Sequence, residues 1–288
     1  MKLFVNNITT IDFSVLHPRK GIIGDSFIVD VTLEGDLNPE GMIMDFSLVK
    51  KIIKQEVDSL ADHVLVVPDG NDNIRVNQSE FRCDIILHSP DGQVKCFVSA
   101  PKKSFLLLNS AEFSTEKLEG VIEKQLLKRL YTEVKALKVR LHHEKISSES
   151  YHYSHGLKKH VGDCQRIAHG HRSAIHIYVN GQRDRQWETY WAERWNQCYL
   201  VSEDDLISED QLSARARVYW HEGLIAHAYR GTQGYFEAMT LTGDTDILPG
   251  DTTVESLALY IKNTMHSMLP DTSIEVHAFE GVGKGAIA

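Results

Sequence analysis

The chain is poor in the residues that would tie it to an oxidising compartment or to a membrane. Its four cysteines, Cys83, Cys96, Cys164 and Cys198, are scattered over 288 residues and form no Cys-x-x-Cys pair, which argues against a disulfide scaffold or an all-cysteine zinc site. No apolar run approaches the ~20 residues needed to span a bilayer. The opening MKLFVNNITTIDF alternates like a strand and has no long apolar leader core. These features predict a protein of the reducing cytoplasm with no membrane partner. Positive charge is also short, with 31 Lys and Arg against 40 Asp and Glu and a net charge of -9. That balance speaks against a general nucleic-acid binder, while leaving room for a local basic pocket facing a phosphorylated small molecule.

What the chain does have is histidine at metal-binding spacing. His169-Gly170-His171 places two imidazoles two residues apart, so in an extended strand both project from the same face. A third histidine from a neighbouring strand would complete a three-nitrogen set; His155 is the candidate, with His152, His160 and His176 as nearby alternatives. Zinc held by three histidines keeps a position open for water or substrate, the pattern of a catalytic site. Cys164 lies between these histidines in sequence; beside a metal it is a candidate proton carrier, and otherwise a small buried filler.

The order of elements reads twice. The polar stretch KISSESYHYSH, starting at Lys145, divides the chain near its middle, into residues 1–146 and 147–288. In the first half, strands are expected over Leu3–Leu16, Ser26–Glu34, Arg82–Leu87, Val94–Ser99 and Leu137–His143. Helices follow Asp45, with Phe46, Val49, Ile53, Val57 and Leu60 on one face, and run from about Ser114 to Leu130. The second half predicts strands at Tyr151–Leu157, Arg172–Val179, Arg217–Ala228, Tyr235–Leu241 and Ile274–Phe279. Its helix carries Val254, Leu257, Ala258, Ile261, Met265 and Met268. A capping box at Thr252-x-x-Glu255 is expected to start that helix, and Pro270 to stop it. Hairpins plus helix-bearing connections predict an α+β fold, with antiparallel sheets and helices packed on one face.

These residues resemble the 6-pyruvoyltetrahydropterin synthase and 6-carboxytetrahydropterin synthase family. The second half carries YHYSHGLKKHVGDCQRIAHGH, DTTVESLALYI and IEVHAFEG; the first carries GDLNPEGMIMDFSLVK and LADH. The resemblance implies tandem tunnelling-fold modules, since the ordinary family module is about half this length. Neither half holds the whole catalytic set. The first module keeps His17 but enters its next strand through Gly24-Asp25-Ser26 and is expected to bind no zinc. In the second, QRDRQWETYWAERWNQ replaces the usual helix segment, and Gln197-Cys198 stands where the first half has Asp62-His63. A composite site follows: Zn2+ on His155, His169 and His171, with Cys164, His63 and Asp62 moving protons.

The resemblance further implies a pterin substrate anchored by Glu280, with Thr252 and Thr253 in its pocket. Glu144 is the first-half match to Glu280. Lys158, Lys159, Arg166 and Arg172 are candidates to meet a triphosphate, or else a solvated charged face. The stretch from Trp187 to Trp195 reads as packing or interface. The implied reaction acts on 7,8-dihydroneopterin triphosphate, releasing triphosphate and giving a 6-pyruvoyl- or 6-carboxy-tetrahydropterin, in a homo-oligomer that is a trimer of two-module chains. The competing readings are a pterin-binding homologue without turnover, an unrelated zinc hydrolase and a structural partner subunit.

Overall fold

The computed structural model describes residues 1–130 and 134–288. The first half runs β1 (Lys2–His17), β2 (Gly21–Glu34), α1 (Phe46–Ala61), β3 (Leu65–Pro68), β4 (Ile74–Gln78), β5 (Arg82–His88), β6 (Val94–Pro101), β7 (Phe105–Leu108), α2 (Thr115–Leu130) and β8 (Ala136–His142). The second runs β9 (Ser150–His155), β10 (His169–Val179), β11 (Gln182–Arg183), α3 (Arg185–Arg194), β12 (Cys198–Ser202), α4 (Ala214–Arg217), β13 (Leu224–Gly231), β14 (Gly234–Leu241), β15 (Thr245–Leu248), α5 (Val254–Met268), β16 (Ile274–Phe279) and β17 (Gly285–Ile287).

Each half builds the same sheet. The order β7-β3-β1-β2-β8 in the first half is matched by β15-β12-β9-β10-β16 in the second. β1, β2 and β8 pair antiparallel, while β3 and β7 add in parallel. The helices cover one face of each sheet because their apolar residues fall three and four apart. Val49, Ile53, Val57 and Ala61 of α1 and Leu118, Ile122, Leu126 and Leu130 of α2 are buried in one core with β1, β2 and β8. In the second half α5 buries Val254, Leu257, Ala258, Ile261 and Met265. The Trp-rich stretch forms α3, and Trp191 and Trp195 are fully buried core residues there. A helix therefore stands where the sequence suggested one was lost.

The third sheet joins the halves. β14 of the second half pairs with β6 of the first, giving the order β13-β14-β6-β5-β4. Matching positions meet across this seam: Val98 faces Ala238, and the Ser14 and Ser154 hydroxyls lie 2.8 Å apart. The two halves are thus related by a local two-fold. Where they touch, side chains are excluded. A Cβ on Gly24 would lie 1.9 Å from the Tyr153 carbonyl oxygen, and one on Gly170 would lie 2.6 Å from the Gly24 Cα.

Several sequence expectations move. The strand predicted at Arg217–Ala228 starts only at Leu224, after the short helix α4 and a turn in which His221 Nδ1 accepts from the Gly223 N–H. The cap of α5 is Thr253, whose hydroxyl accepts from the Ser256 N–H, because the Thr252 hydroxyl and carbonyl both lie 3.0 Å from His155. Register corrects the repeat. Ser14 pairs with Gly24 and Leu65, as Ser154 pairs with Gly170 and Tyr199. Val15 and Ile23 therefore stand at the places of His155 and His169, and Asp25 at that of His171. His17 lies two residues beyond, where its Nδ1 accepts from the Arg19 and Lys20 N–H groups. Asn196-Gln197, not Gln197-Cys198, matches Asp62-His63; His63 and Gln197 share a left-handed backbone, with φ of 54° and 62°. By the same register, Leu141 on Val29 and Ala278 on Ile175 align His143, not Glu144, with Glu280.

The Gly24 contact gives a direct test of the seam. Gly24→Ala must push backbone from backbone, so a loss of about 1–3 kcal/mol is expected, read as a lower urea midpoint. An unchanged midpoint would show that the close approach is not formed.

Candidate active site

Strand pairing assembles the imidazoles. His155 on β9 lies directly opposite His169 on β10, and His171 follows on the same face. All three are buried, and one ring nitrogen from each lies within 4.8 Å of the others. Among the described residues this is the one such group of histidine, cysteine or carboxylate side chains. His155 Nδ1 donates to the Thr252 carbonyl at 3.0 Å and His169 Nδ1 to the Arg166 carbonyl at 2.8 Å. His171 Nδ1 lies 3.3 Å from the Asp12 carboxylate. These acceptors leave the Nε2 lone pairs facing inward, which is how metal-ligating histidines are oriented.

The inner spacing fits a metal. His155 Nε2 and His171 Nε2 are 3.2 Å apart. Two lone pairs so placed repel, and a cation between them reverses the sign. Nitrogens each ~2.0–2.1 Å from a tetrahedral zinc would be about 3.3 Å apart. Burial, together with the neighbouring imidazoles, holds His155 and His169 well below the usual histidine range, so both stay neutral as ligands must.

The Asp62–His63 pair comes from the other half. Asp62 caps the end of α1, and His63 follows with positive φ. The Asp12 backbone fixes both: its N–H donates to Asp62 Oδ1 at 2.8 Å, and its carbonyl accepts the His63 N–H at 2.6 Å. His63 Nδ1 lies 2.8 Å from Asp62 Oδ2, and His63 Nε2 lies 3.4 Å from Cys164 Sγ. Burial works against charge on His63, but the bonds to Asp62 and Cys164 outweigh it and raise its pKa to about 10. The imidazole is therefore protonated at neutral pH. Its ring centre is 4.7 Å from that of His169, so the Cys164–His63–Asp62 chain touches the imidazole cluster.

Cys164 reaches this place on the 156–168 connection, which is tied down by Gln165. Buried Gln165 donates to the Gly162 carbonyl and the Thr232 hydroxyl, each at 2.9 Å. Arg166 bonds Asp163 at 2.8 Å and donates to the Asp62 carbonyl at 3.3 Å. Beside this loop lies a cavity of about 890 Å³, whose walls include Asp163, Arg166 and Gln233 from one half and Lys102, Lys103 and Phe105 from the other.

Glu280 points at the cluster, with its carboxylate 4.0 Å from His171 Nε2 and 3.5 Å from Lys284 Nζ. Thr252 and Thr253 sit differently from the sequence expectation: Thr252 is buried behind His155 and Thr253 caps α5, so neither hydroxyl faces a free pocket. Of the basic candidates only Arg166 adjoins the site. Lys158 pairs with Asp205, Lys159 with Asp251, and Arg172 donates to the Glu144 carbonyl. Sequence reasoning missed Asp12, Lys284, Lys102 and Lys103. Asp12 left a trace, as a lone carboxylate within the apolar-rich strand IDFSVL.

Three inward imidazoles that could hold a metal, with a thiol–imidazole–carboxylate chain against them, sit on an α+β scaffold of two like halves. The family model for 6-pyruvoyl tetrahydropterin synthase matches residues 16–152, a little under half of the chain. A curated relative from Methanocaldococcus jannaschii, provisionally named a 6-carboxy-5,6,7,8-tetrahydropterin synthase, is 38% identical over 60 residues. That match covers 20% of this chain and 36% of the relative's length. The 6-pyruvoyl tetrahydropterin synthase of Plasmodium vivax is similar in structure at a TM-score of 0.40 and 21% identity, over 51% of this chain and 93% of that one. The Plasmodium falciparum enzyme gives 0.39 and 18%, over 49% and 90%.

Because the Asp12 carboxylate sets the orientation of His171, Asp12→Asn is expected to weaken metal binding about 10–100-fold, read by competition against a chromophoric chelator. Equal affinity would show that Asp12 serves only the fold.

Proposed function

We propose that the chain is a zinc-dependent pterin synthase that acts on 7,8-dihydroneopterin triphosphate, eliminates triphosphate and forms 6-pyruvoyl- or 6-carboxy-tetrahydropterin. The observation that carries this reading is the contact of the Cys164–His63–Asp62 chain with the three-imidazole cluster, each half of the molecule supplying what the other lacks. Zinc on His155, His169 and His171 would supply Lewis acidity toward the hydroxyls of the substrate side chain. Cys164 stands ready to exchange a side-chain proton, and His63 to relay it through Nε2 while Asp62 holds Nδ1. Glu280 offers a carboxylate to the amino and ring N–H groups of the pterin, a charge-assisted and directional contact. Lys102, Lys103 and Arg166, on the wall of the adjoining cavity, face the triphosphate.

The assembly proposed is a trimer of two-module chains in the cytoplasm, each chain comprising modules 1–146 and 147–288. The sheets support this: among the described residues β7 and β8 end one sheet and β15 another without pairing onward, and joining such edges between copies removes an aggregation hazard.

Incubating the zinc-loaded protein with 7,8-dihydroneopterin triphosphate is expected to release triphosphate, with a new tetrahydropterin whose mass names the product. His63→Ala and Cys164→Ala should each lower turnover by about 10²-fold or more while bound zinc stays stoichiometric. Full activity in His63→Ala would end the composite-site reading. Tight pterin binding without product would instead favour a binding homologue.

A further inference from the structure

The local two-fold gives the reactive site a counterpart. The first half's β1–β2 turn stands there in place of the Cys164 connection, and Asn196-Gln197 in place of Asp62-His63. At that position a cavity of about 340 Å³ lies between Arg19, Lys20 and Lys95 of the first half and Arg194 and Gln197 of the second. Its size is within the range of small-molecule sites.

This counterpart cannot repeat the proposed chemistry. Gln197 has no titratable group where His63 has one. Val15, Ile23 and Asp25 occupy the three ligand positions, and Asp25 is engaged by His143 at 2.9 Å. Next to it, Val15 and Ile23 line a separate cavity of about 180 Å³. The metal and acid–base functions have been replaced, yet the hollow persists.

Its electrostatic character is the opposite of the molecule's. Four cationic side chains line it against one carboxylate, Asp244, on a chain with a net charge of -9. Arg194 is neutralised by Asp246 at 2.8 Å. Lys95 donates to the Arg19 carbonyl and stitches the turn in place, with Asp244 as its nearby carboxylate. Arg19 and Lys20 have no ion-pair partner among the described residues. Concentrating like charge on a concave surface costs self-repulsion, which a bound polyanion relieves. The side-chain amides of Asn196 and Gln197 add neutral donors. Several cations around one hollow match an anion with several charged oxygens better than a single phosphate.

We propose that this counterpart cavity is a non-catalytic binding site for a small oligophosphate anion. The equivalence of the two places rests on strand register, and only the contrast with a reactive site rests on the function proposed above. Binding can therefore be tested without turnover. Equilibrium dialysis of the full-length protein against inorganic triphosphate, with orthophosphate as a parallel arm, reads it directly. Lys102→Glu/Lys103→Glu removes competition from the other groove. In that background triphosphate binding is expected to persist, to weaken with added salt, and to fall at least tenfold on adding Lys20→Glu, with a smaller fall for Lys20→Gln. Lys20 is exposed, and thermal melting checks that each variant is folded. Binding unaffected by Lys20→Glu, no triphosphate bound, or orthophosphate bound as tightly as triphosphate would each overturn the proposal. Failure of the pterin reaction would leave this result standing.

Discussion

The contact between the two halves at the candidate site leans on one buried carboxylate. Asp12 is 3% exposed, and burial alone would push it toward the neutral form. Contact with His171 and the nearby Lys284 reverse that and hold its pKa well below the ordinary carboxylate range. Its side chain accepts from Ser26 at 2.5 Å and faces His171 at 3.3 Å, while its backbone pins Asp62 and His63. One residue of the first half thus sets both the orientation of His171 in the second and the position of the Asp62–His63 pair. A left-handed backbone at a residue with a side chain costs about 1–2 kcal/mol, and at His63 the short bond to the Asp12 carbonyl offsets it.

Duplication explains why this arrangement fits in one chain. Here the two halves meet across a seam where Gly24 and Gly170 let backbones touch, and the imidazole cluster and the Asp-His pair are divided between them. The division leaves one candidate active site and one counterpart that keeps the same frame with different side chains. The left-handed turns at His63 and Gln197 show how closely the backbone repeats where the chemistry does not.

Much of this was legible in the residues. His169-Gly170-His171 specified same-face imidazoles because strand geometry allows little else. The stripe from Val49 to Val57 specified a helix, and the order of elements specified the repeat. What failed did so for local reasons. Short parallel strands such as β3, β7, β12 and β15 are four or five residues long and carry no periodicity of their own. The Trp-rich stretch reads as packing or interface, and its tryptophans obscured the helical spacing of α3. The matches of His17 to His155 and Glu144 to Glu280 came from similar letters, and hydrogen-bond register moved both.

By itself the sequence determined which groups were available: three imidazoles, a thiol, an Asp-His pair and a terminal carboxylate, on a doubled α+β chain. These follow from composition and short-range spacing, which depend on backbone geometry over a few residues. Only the tertiary structure decided that Cys164 meets His63 across 101 positions of chain, that Thr252 supports His155 instead of facing a pocket, and that Asp12 unites the two halves. Such contacts depend on sheet register and on the packing of one half against the other. A one-residue change in register turns every side chain to the opposite face, and no local pattern in the sequence records which register wins.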